Sequence, residues 1–336
     1  MSQTETFQAL VTSEHDGQFQ TRLQTRHFDA LAAGHVRIQV HYSSLNYKDA
    51  LSSQGNRGVT KNYPHTPGID AAGVVSLSHA EQWAVGDPVI VTSYDLGMNT
   101  AGGLAEFIDV PADWVVALPD GLSLKSAMIL GTSGLTAGLA FDKLQRCGLS
   151  PDQGPVIVTG ASGGVGSLSV ALLAQQGYEV WAVSGKPALY DWLKQLGASD
   201  CLGRDAVQAP PEKPLLRPRW AGAIDTVGGN ILSSVVRACH KEGVVAVCGL
   251  VQSPELNLTV FPFILNGIHL VGVDSAQVKM AQRQKIWQRW ATDWTVPDLG
   301  EHLETIPLAQ VPEALAQMLA GQSRGKKLVQ IGSDEV

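Results

Sequence analysis

Cysteine is scarce in this sequence, and its placement excludes the structures that cysteines usually support. The 336 residues contain four cysteines, none of them in a C-x-x-C pair: Cys147, Cys201, Cys239 and Cys248. Neither a disulfide framework nor a structural zinc cage is therefore indicated.

Positive charge is also in short supply. The sequence has 24 Lys and Arg against 31 Asp and Glu, which gives a formal net charge of −7. Such a balance offers no basic surface to offset the phosphates of DNA or RNA. We therefore expect no nucleic-acid partner.

Long apolar runs are missing as well. No run reaches the ~18 uninterrupted apolar residues of a membrane span, and the start MSQTETFQAL has neither a basic head nor an apolar signal core. We expect a cytoplasmic protein with no membrane partner. Hydrophobic residues make up 44% of the chain, which excludes general disorder. At roughly 100–200 residues per domain, the length predicts two domains.

Two patterns divide the chain. The first part has short segments rich in β-type residues, at 7–11, 36–42, 72–76, 88–92 and 114–118. After Gly131 the pattern changes to strand, glycine turn and helix, repeated several times. This alternation predicts crossover connections around a parallel sheet, and so an α/β protein.

A glycine-rich turn marks the first of these crossovers. Residues 160–166 (GASGGVG) lie between a predicted buried strand at 155–159 and a predicted helix at 167–176. The turn is an A-x-G-x-x-G variant of the dinucleotide motif, and a second strand follows at 178–183. Free backbone N–H groups and the positive end of the helix would bind a pyrophosphate there. An ordinary glycine-rich turn is the alternative.

The end of the second strand discriminates between cofactors. NAD-binding proteins usually place Asp or Glu there, whereas this chain has Ser184, Gly185 and Lys186. A carboxylate would repel a 2′-phosphate, while a hydroxyl and an ammonium would hold it. We therefore predict NADPH as the cofactor. The alternative is that Ser184 caps the next helix and Lys186 is solvated.

Several motifs together resemble the medium-chain dehydrogenase/reductase superfamily: 44–49 (SLNYKD), 67–73 (PGIDAAG), 131–137 (GTSGLTA) and 161–166 (ASGGVG). Others look like its zinc-independent, quinone oxidoreductase-like branch of NADPH-dependent acryloyl-CoA reductases, the AcuI/YhdH type: 184–186 (SGK), 225–229 (DTVGG), 248–250 (CGL), 262–265 (PFIL) and 272–275 (GVDS).

The resemblance implies a GroES-like, mostly β domain over 1–125, completed by 300–336. It also implies a Rossmann domain with a doubly wound parallel sheet over 126–299. Zinc-dependent relatives carry cysteine, histidine and glutamate where this chain has Asn46, Tyr47 and Ile69-Asp70, so no metal is expected. Relatives commonly dimerise, and the apolar segment 261–273 would be an edge strand that pairs with its copy in a homodimer; a place in the core is the alternative.

Site residues are carried over from the same resemblance. It implies that Tyr47 lines the nicotinamide pocket and that Leu250, Ile264 and Ser275 contact the cofactor from later loops. It assigns the pyrophosphate and the 2′-phosphate to two further groups, which are Ser162, Gly163, Gly164, Val165 and Gly166, and Ser184, Gly185 and Lys186.

The implied reaction is reduction of acryloyl-CoA to propionyl-CoA, with a hydride to the β carbon and a proton to the α carbon. Backbone amides or the catalytic candidates Asn46, Tyr47 and Lys48 would polarise the thioester carbonyl. Tyr47 would donate the proton or position the substrate, with water as a competing donor. Reduction of quinones or small enones is the alternative activity, and a non-catalytic NADPH sensor is a third hypothesis.

Overall fold

The computed structural model describes residues 6–210 and 212–332. Residue 211, in the predicted domain 126–299, lies outside the described residues. So do the two chain ends, which belong to the predicted segments 1–125 and 300–336. Contacts divide the chain into two compact units. The first contains the residues up to Thr132, the segment Ala276–Thr292 and the residues from Gly300 on; the second contains Ser133–Ser275 and Asp293–Leu299. The predicted domain boundaries stay a prediction.

The strands of the described residues are numbered in chain order: β1 Thr6–His15, β2 Gln18–His27, β3 His35–Ser44, β4 Asp70–Ser78, β5 Pro88–Thr92, β6 Phe107–Pro111, β7 Val116–Ala117, β8 Val156–Thr159, β9 Val180–Val183, β10 Asp200–Leu202, β11 Trp220–Asp225, β12 Cys239–Val247, β13 His269–Gly272, β14 Leu303–Pro307 and β15 Lys326–Gln330. The α-helices follow in the same way: α1 Tyr47–Ser53, α2 Leu124–Arg146, α3 Gly164–Gln175, α4 Tyr190–Gln195, α5 Gly229–Arg237, α6 Phe261–Asn266, α7 Met280–Ala291 and α8 Val311–Leu319.

The first unit is built on β-structure. Its larger sheet has the order β14-β15-β3-β4-β5-β7, with β6 also paired to β3, and β1 and β2 form a separate hairpin. One face of the sheet is apolar and buried. In strand β3, for example, Val36, Ile38 and Val40 alternate with polar residues and are buried. They pack in one core cluster with Ile108 and Val110 of β6. The mostly β character predicted for this part of the chain is thus present.

The second unit contains a six-stranded parallel sheet in the order β10-β9-β8-β11-β12-β13. Strands β8 and β11 are buried along their whole length, as expected for a sheet covered on both faces. The chain starts in the middle at β8, moves outward to β10 and returns to β11, so the strand order reverses between β8 and β11. In doubly wound sheets, ligands bind at the carboxyl ends of the strands beside such a reversal.

The predicted apolar edge strand at 261–273 is largely wrong. Residues Phe261–Asn266 form helix α6, and only His269–Gly272 is a strand. Pro262 lies in the first turn, where its fixed φ favours a helix. Gly267 then ends the helix with φ +62°, a left-handed conformation that glycine adopts without a steric penalty. An apolar run of this length does not distinguish a short helix from a strand.

Helix α2 is the longest helix described and was not predicted. Its length and apolar composition match those of a membrane span, but 78% of its most apolar 18-residue window is buried inside the protein, as in a core helix. Its backbone also breaks at Gly131, which has φ 51° and ψ −152°.

Candidate functional site

The predicted pyrophosphate turn leads directly into the N-terminus of helix α3. Gly163 is the N-cap, with extended backbone, and the first intrahelical bond runs from the Ser167 N–H to the Gly163 carbonyl. The amides of Gly164, Val165 and Gly166 therefore precede the helical ladder, where amides are available to an anion. Helix α3 has 12 residues, so its dipole adds to the attraction.

Two glycines in this turn are required by close packing. A Cβ on Gly166 would lie 2.2 Å from the Gly160 carbonyl oxygen and 2.7 Å from the Ala161 Cα. Gly160 has φ +62°, and its Cβ would lie 2.2 Å from the Thr226 hydroxyl, just beyond β11. The turn is thus held against the strand reversal with its backbone close to neighbouring backbone, which fits a dinucleotide pyrophosphate.

The predicted 2′-phosphate residues are joined to this turn by a hydrogen bond. The hydroxyls of Ser162 and Ser184 are 2.9 Å apart and both residues are buried. The Lys186 N–H donates to the Ser184 hydroxyl at 3.1 Å, and the Tyr190 hydroxyl donates to the Ser184 carbonyl at 3.2 Å. If Ser162 donates in the shared bond, the Ser184 hydroxyl keeps its own hydrogen for a phosphate oxygen. The structure therefore brings residues 162–166 and 184–186 together.

Arg204 is a cation beside this group that the sequence analysis missed. A Cβ on Gly185 would lie 2.8 Å from Arg204 Nε and 3.0 Å from its Cζ, so the guanidinium packs against the Gly185 backbone. Arg204 follows β10, the outer neighbour of β9. Strand β10 has only three residues and was not predicted, so no sequence pattern placed Arg204 near Ser184. Its planar fork suits a phosphate better than the single ammonium of Lys186.

The three predicted contacts from later loops are placed differently from one another. A cavity of about 480 Å³ opens at the carboxyl ends of β12 and β13, and Leu250 is among its lining residues. Ser275 directly follows the lining residue Asp274 and accepts a hydrogen bond from the Thr136 hydroxyl at 2.8 Å. Ile264 lies instead on α6, is 67% exposed and does not line this cavity. The roles of all three stay predictions.

In the first unit, Asn46 and Asp49 fix the start of helix α1. The Asn46 N–H donates to Asp49 Oδ2 at 2.7 Å, and the Asn46 side chain accepts from the Asp49 N–H in a capping box. The Ile69 N–H donates to Asp49 Oδ1 at 2.9 Å. Burial raises the pKa of Asp49 to about 7, against the effect of the two backbone N–H bonds and of Lys326.

The same geometry limits what Asn46 can do. Its amide nitrogen donates to Asp70 Oδ2 at 2.8 Å and to the Ser44 carbonyl at 3.2 Å, so both amide hydrogens are used. They are therefore not available to polarise a substrate carbonyl. Tyr47 is 45% exposed at the first position of α1, and Lys48 beside it is half-buried. Of the three catalytic candidates, Tyr47 and Lys48 are better placed to meet a ligand.

Metal-ligating side chains are not gathered at any point in the part of the chain that the structure describes. Among residues 6–210 and 212–332, no group of three or more His, Cys, Asp or Glu side chains is arranged to hold a metal ion. Burial raises the pKa of both Cys239 and Cys248 to about 12, which keeps these thiols protonated. The predicted lack of a metal stays a prediction.

Comparisons with known proteins cover nearly the whole chain. Residues 32–120 match the alcohol dehydrogenase GroES-like domain, and residues 164–292 match the family described as zinc-binding dehydrogenase. The acrylyl-CoA reductase AcuI of Ruegeria pomeroyi is 40% identical over 329 residues, which are 97% of this chain and 100% of that protein. These matches confirm the predicted α/β class with a GroES-like domain and a Rossmann domain.

Two solved structures are similar at the same level. The structure of Escherichia coli K-12 YhdH with bound NADPH is 42% identical, with a TM-score of 0.91 over 96% of this chain and 99% of that chain. The structure of Bacillus subtilis yhfP with NAD bound is 41% identical, with a TM-score of 0.93 over 97% and 99%. The chain therefore belongs to the medium-chain dehydrogenase/reductase superfamily, in the family of the AcuI and YhdH acrylyl-CoA reductases.

Proposed function

We propose that this chain is an NADPH-dependent oxidoreductase that reduces the conjugated C=C bond of acryloyl-CoA to give propionyl-CoA. The observation that carries the proposal is the arrangement around Ser184. There the Ser162 hydroxyl of the glycine turn and the Lys186 N–H contact the Ser184 hydroxyl, and the Arg204 guanidinium packs against Gly185. The chain is related over nearly its full length to acrylyl-CoA reductases. These residues fit a dinucleotide that carries a 2′-phosphate, because they combine backbone amides, hydroxyls and two cations.

The choice between NADPH and NADH is a real one, since yhfP binds NAD in its solved structure. In this chain no carboxylate follows β9, where an NAD-binding protein usually holds the ribose hydroxyls. Lys186 and Arg204 place positive charge there instead, and Ser184 can keep a hydrogen for a phosphate oxygen. We therefore propose that the 2′-phosphate is bound by Ser184, Gly185, Lys186 and Arg204.

Bound NADPH supplies the hydride for the β carbon of the substrate. The protein must position the thioester, polarise its carbonyl and provide a proton for the α carbon. We propose Tyr47 as the residue that contacts the ligand, either as proton donor or by positioning it, and Lys48 as an accessory donor. Asn46 acts as an anchor for Tyr47, because its amide hydrogens are already used.

A direct assay tests the function. The purified protein is mixed with NADPH and acryloyl-CoA, crotonyl-CoA or a simple quinone, and NADPH oxidation is followed. We expect acryloyl-CoA to be the fastest substrate and propionyl-CoA to be the product. NADPH deuterated at the transferred position should label the β carbon, whereas deuterated water should label the α carbon.

Other outcomes favour the alternatives. A related protein of Bacillus subtilis, 41% identical, carries a quinone oxidoreductase name, and turnover of the quinone alone would support that activity here. Equal and slow rates with all three compounds would support a non-catalytic NADPH sensor.

We also propose that the protein is a cytoplasmic homodimer. Strand β13 is an edge of its sheet among the described residues. The neighbouring helix α6 and the residue before it expose four large apolar side chains, Val260, Phe261, Ile264 and Leu265. A contiguous apolar surface beside an open sheet edge is typical of a protein–protein contact.

A further inference from the structure

Asp70 is a buried carboxylate that the proposed function has not used. It begins β4 and is fully buried. Its Oδ2 accepts from the Ser44 hydroxyl at 2.6 Å and from the Asn46 amide at 2.8 Å. Its Oδ1 accepts from the Thr132 N–H at 2.9 Å and from the Thr132 hydroxyl at 2.6 Å. Four donors on two oxygens need the ionised carboxylate, which has only acceptor sites.

These four bonds gather three separate pieces of the chain. Ser44 ends β3 and leads into Asn46 and Tyr47, while Thr132 lies 62 residues further on than Asp70, just after the break in α2. The break is what allows the approach. A Cβ on Gly131 would lie 2.3 Å from Asp70 Oδ2 and 2.7 Å from the Ser44 hydroxyl, and Gly131 has a positive φ.

A third hydroxyl, that of Ser93, extends this arrangement beyond the carboxylate. The only hydroxyl hydrogen of Thr132 is donated to Asp70, so in the 2.8 Å bond between Ser93 and Thr132 the donor is Ser93. Ser93 has φ +60°, and its N–H donates to the Ile69 carbonyl at 2.7 Å. A non-glycine residue in this conformation is strained and is kept only where its surroundings fix it.

A buried cation balances the charge. Lys326 on β15 is 2% exposed, and burial lowers its pKa while Asp70 and Asp49 oppose that change. Replacing buried ion pairs by apolar side chains is often neutral or stabilising. A stabilising role alone therefore does not explain why these groups are buried together, whereas an ionised Asp70 carboxylate holds four donors at fixed positions.

We propose that Asp70, balanced by Lys326, is a positioning residue for the reduction, which fixes Asn46 and hence Tyr47 on one side and Thr132 on the other. The proposal rests on the proposed function, because Tyr47 is the ligand-contacting residue there. Asp70 itself lies beneath these residues and acts through them. Asp70 thus holds the segment that contains Asn46 and Tyr47 in place, and the position of Tyr47 determines kcat.

The first test is the isosteric variant Asp70→Asn. The amide has one acceptor oxygen and adds two hydrogens, so it cannot satisfy donors on both sides. We expect kcat with acryloyl-CoA to fall by about 100-fold, the loss associated with a displacement of roughly 1 Å at a reacting group. The dissociation constant for NADPH should stay within about twofold, because none of the proposed phosphate-binding residues is a partner in these four bonds.

Asp70→Glu is the matched control, because it keeps the charge and the acceptor atoms. It should recover part of kcat, which loss of fold would not explain. If Asp70→Asn does not fold, Thr132→Val replaces it: this variant removes one donor to Asp70 Oδ1 and keeps the N–H bond. We expect Thr132→Val to lower kcat by about tenfold with unchanged NADPH affinity.

Amide hydrogen exchange in the absence of cofactor separates this proposal from the function itself. In Asp70→Asn, peptides covering residues 44–50 and 130–134 should exchange faster, and the peptide covering 160–166 should not change. That result stands whichever substrate the protein reduces, so failure with acryloyl-CoA would refute only the function. Unchanged kcat and exchange in Asp70→Asn, or a kcat in Asp70→Glu as low as that of Asp70→Asn, would overturn the proposal.

Discussion

At the scale of single residues, the proposed cofactor preference depends on two side chains that lie far apart in sequence. Lys186 could be predicted as a phosphate ligand because it follows a clear strand and stands where a carboxylate would select NAD. Arg204 could not, since only the packing of β10 beside β9 brings it to Gly185. The same is true of Asp70 and Thr132, whose contact depends on a break in a helix that no sequence pattern indicates.

Removing either cation should change the response to NADPH and leave NADH unaffected. We expect Lys186→Ala and Arg204→Ala each to raise the KM for NADPH by about tenfold or more, the value of a charge-assisted hydrogen bond. Steady-state kinetics with both cofactors measures this. Lys194→Ala, on the exposed end of α4, is the control and should change neither value. Equal increases for both cofactors would refute the phosphate assignment.

The hydroxyl of Tyr47 should matter for turnover and not for binding. We expect Tyr47→Phe to lower kcat while the dissociation constant for NADPH changes little, because the ring that packs on a ligand is retained. Tyr63→Phe removes a hydroxyl bonded to the Ser52 carbonyl and should leave kcat near that of the unmodified protein. Full activity of Tyr47→Phe would remove the hydroxyl from the chemistry.

The stability of the protein should depend on pH through Asp49. Its pKa is about 7 in the folded protein against an ordinary value of 3.8, so the folded state holds this proton more tightly than the unfolded chain. The group therefore contributes stability that is fully present below its ordinary pKa and is lost as the pH rises through about 7.

Urea unfolding at about pH 5 and about pH 8 checks this expectation. The free energy of unfolding of the unmodified protein should fall more between these values than that of Asp49→Asn, which cannot ionise. The variant also loses one acceptor for a backbone N–H, so only the change with pH is compared. The same change with pH in both proteins would contradict the assignment.

At the scale of elements, the sequence predicts the strands and helices whose burial leaves a clear pattern of apolar residues. The first crossover was predicted because β8 is a buried apolar run that leads into a glycine turn and an apolar helix. Strand β2 was missed since its ten residues are mostly exposed and polar, so no apolar alternation marks it. Helix α6 was missed because Pro262 and Gly267 determine its ends, while its apolar composition equally favours a strand.

Helix α3 offers a test of the turn that precedes it. Gly166→Ala should weaken NADPH binding by more than tenfold, because the added Cβ would lie 2.2 Å from a backbone oxygen that cannot move independently. Gly177→Ala, beyond the other end of the helix, is the control. Its φ of +81° disfavours alanine, but nothing lies within 4 Å of the added Cβ. It should cost about 1 kcal/mol of stability without changing NADPH affinity, as titrations of both variants would show.

At the scale of the whole molecule, the proposed dimer depends on the exposed surface of helix α6. The sequence alone showed only that this segment is apolar. Residues Phe261–Asn266 form helix α6 and not the expected strand. Large apolar side chains of this helix are nevertheless exposed beside the edge of the sheet. The alternative, that this segment lies wholly in the core, is wrong for the same reason. Composition alone does not distinguish a segment at a subunit interface from one in the core, because both locations favour apolar residues.

A charge placed on that surface should separate the subunits. We expect Ile264→Asp to shift the protein from twice the mass of one chain to a single chain in light scattering, because an interface does not tolerate a buried unpaired carboxylate. Leu77 is an exposed leucine of the first unit, so Leu77→Asp is the control and should leave the mass unchanged. A monomeric unmodified protein would refute the dimer outright.

The hydroxyl pair formed by Ser162 and Ser184 restricts how the coenzyme preference of this enzyme could be redesigned. Introducing an acidic side chain in place of Ser184 is the obvious route toward NADH. At that buried position, however, the Ser162 hydroxyl and the Lys186 N–H would both donate to the new carboxylate. The guanidinium of Arg204, which packs against Gly185, and the positive charge of Lys186, two residues along the chain, would attract it. An engineer would therefore have to replace those cations in the same step, before the acid could reach a ribose.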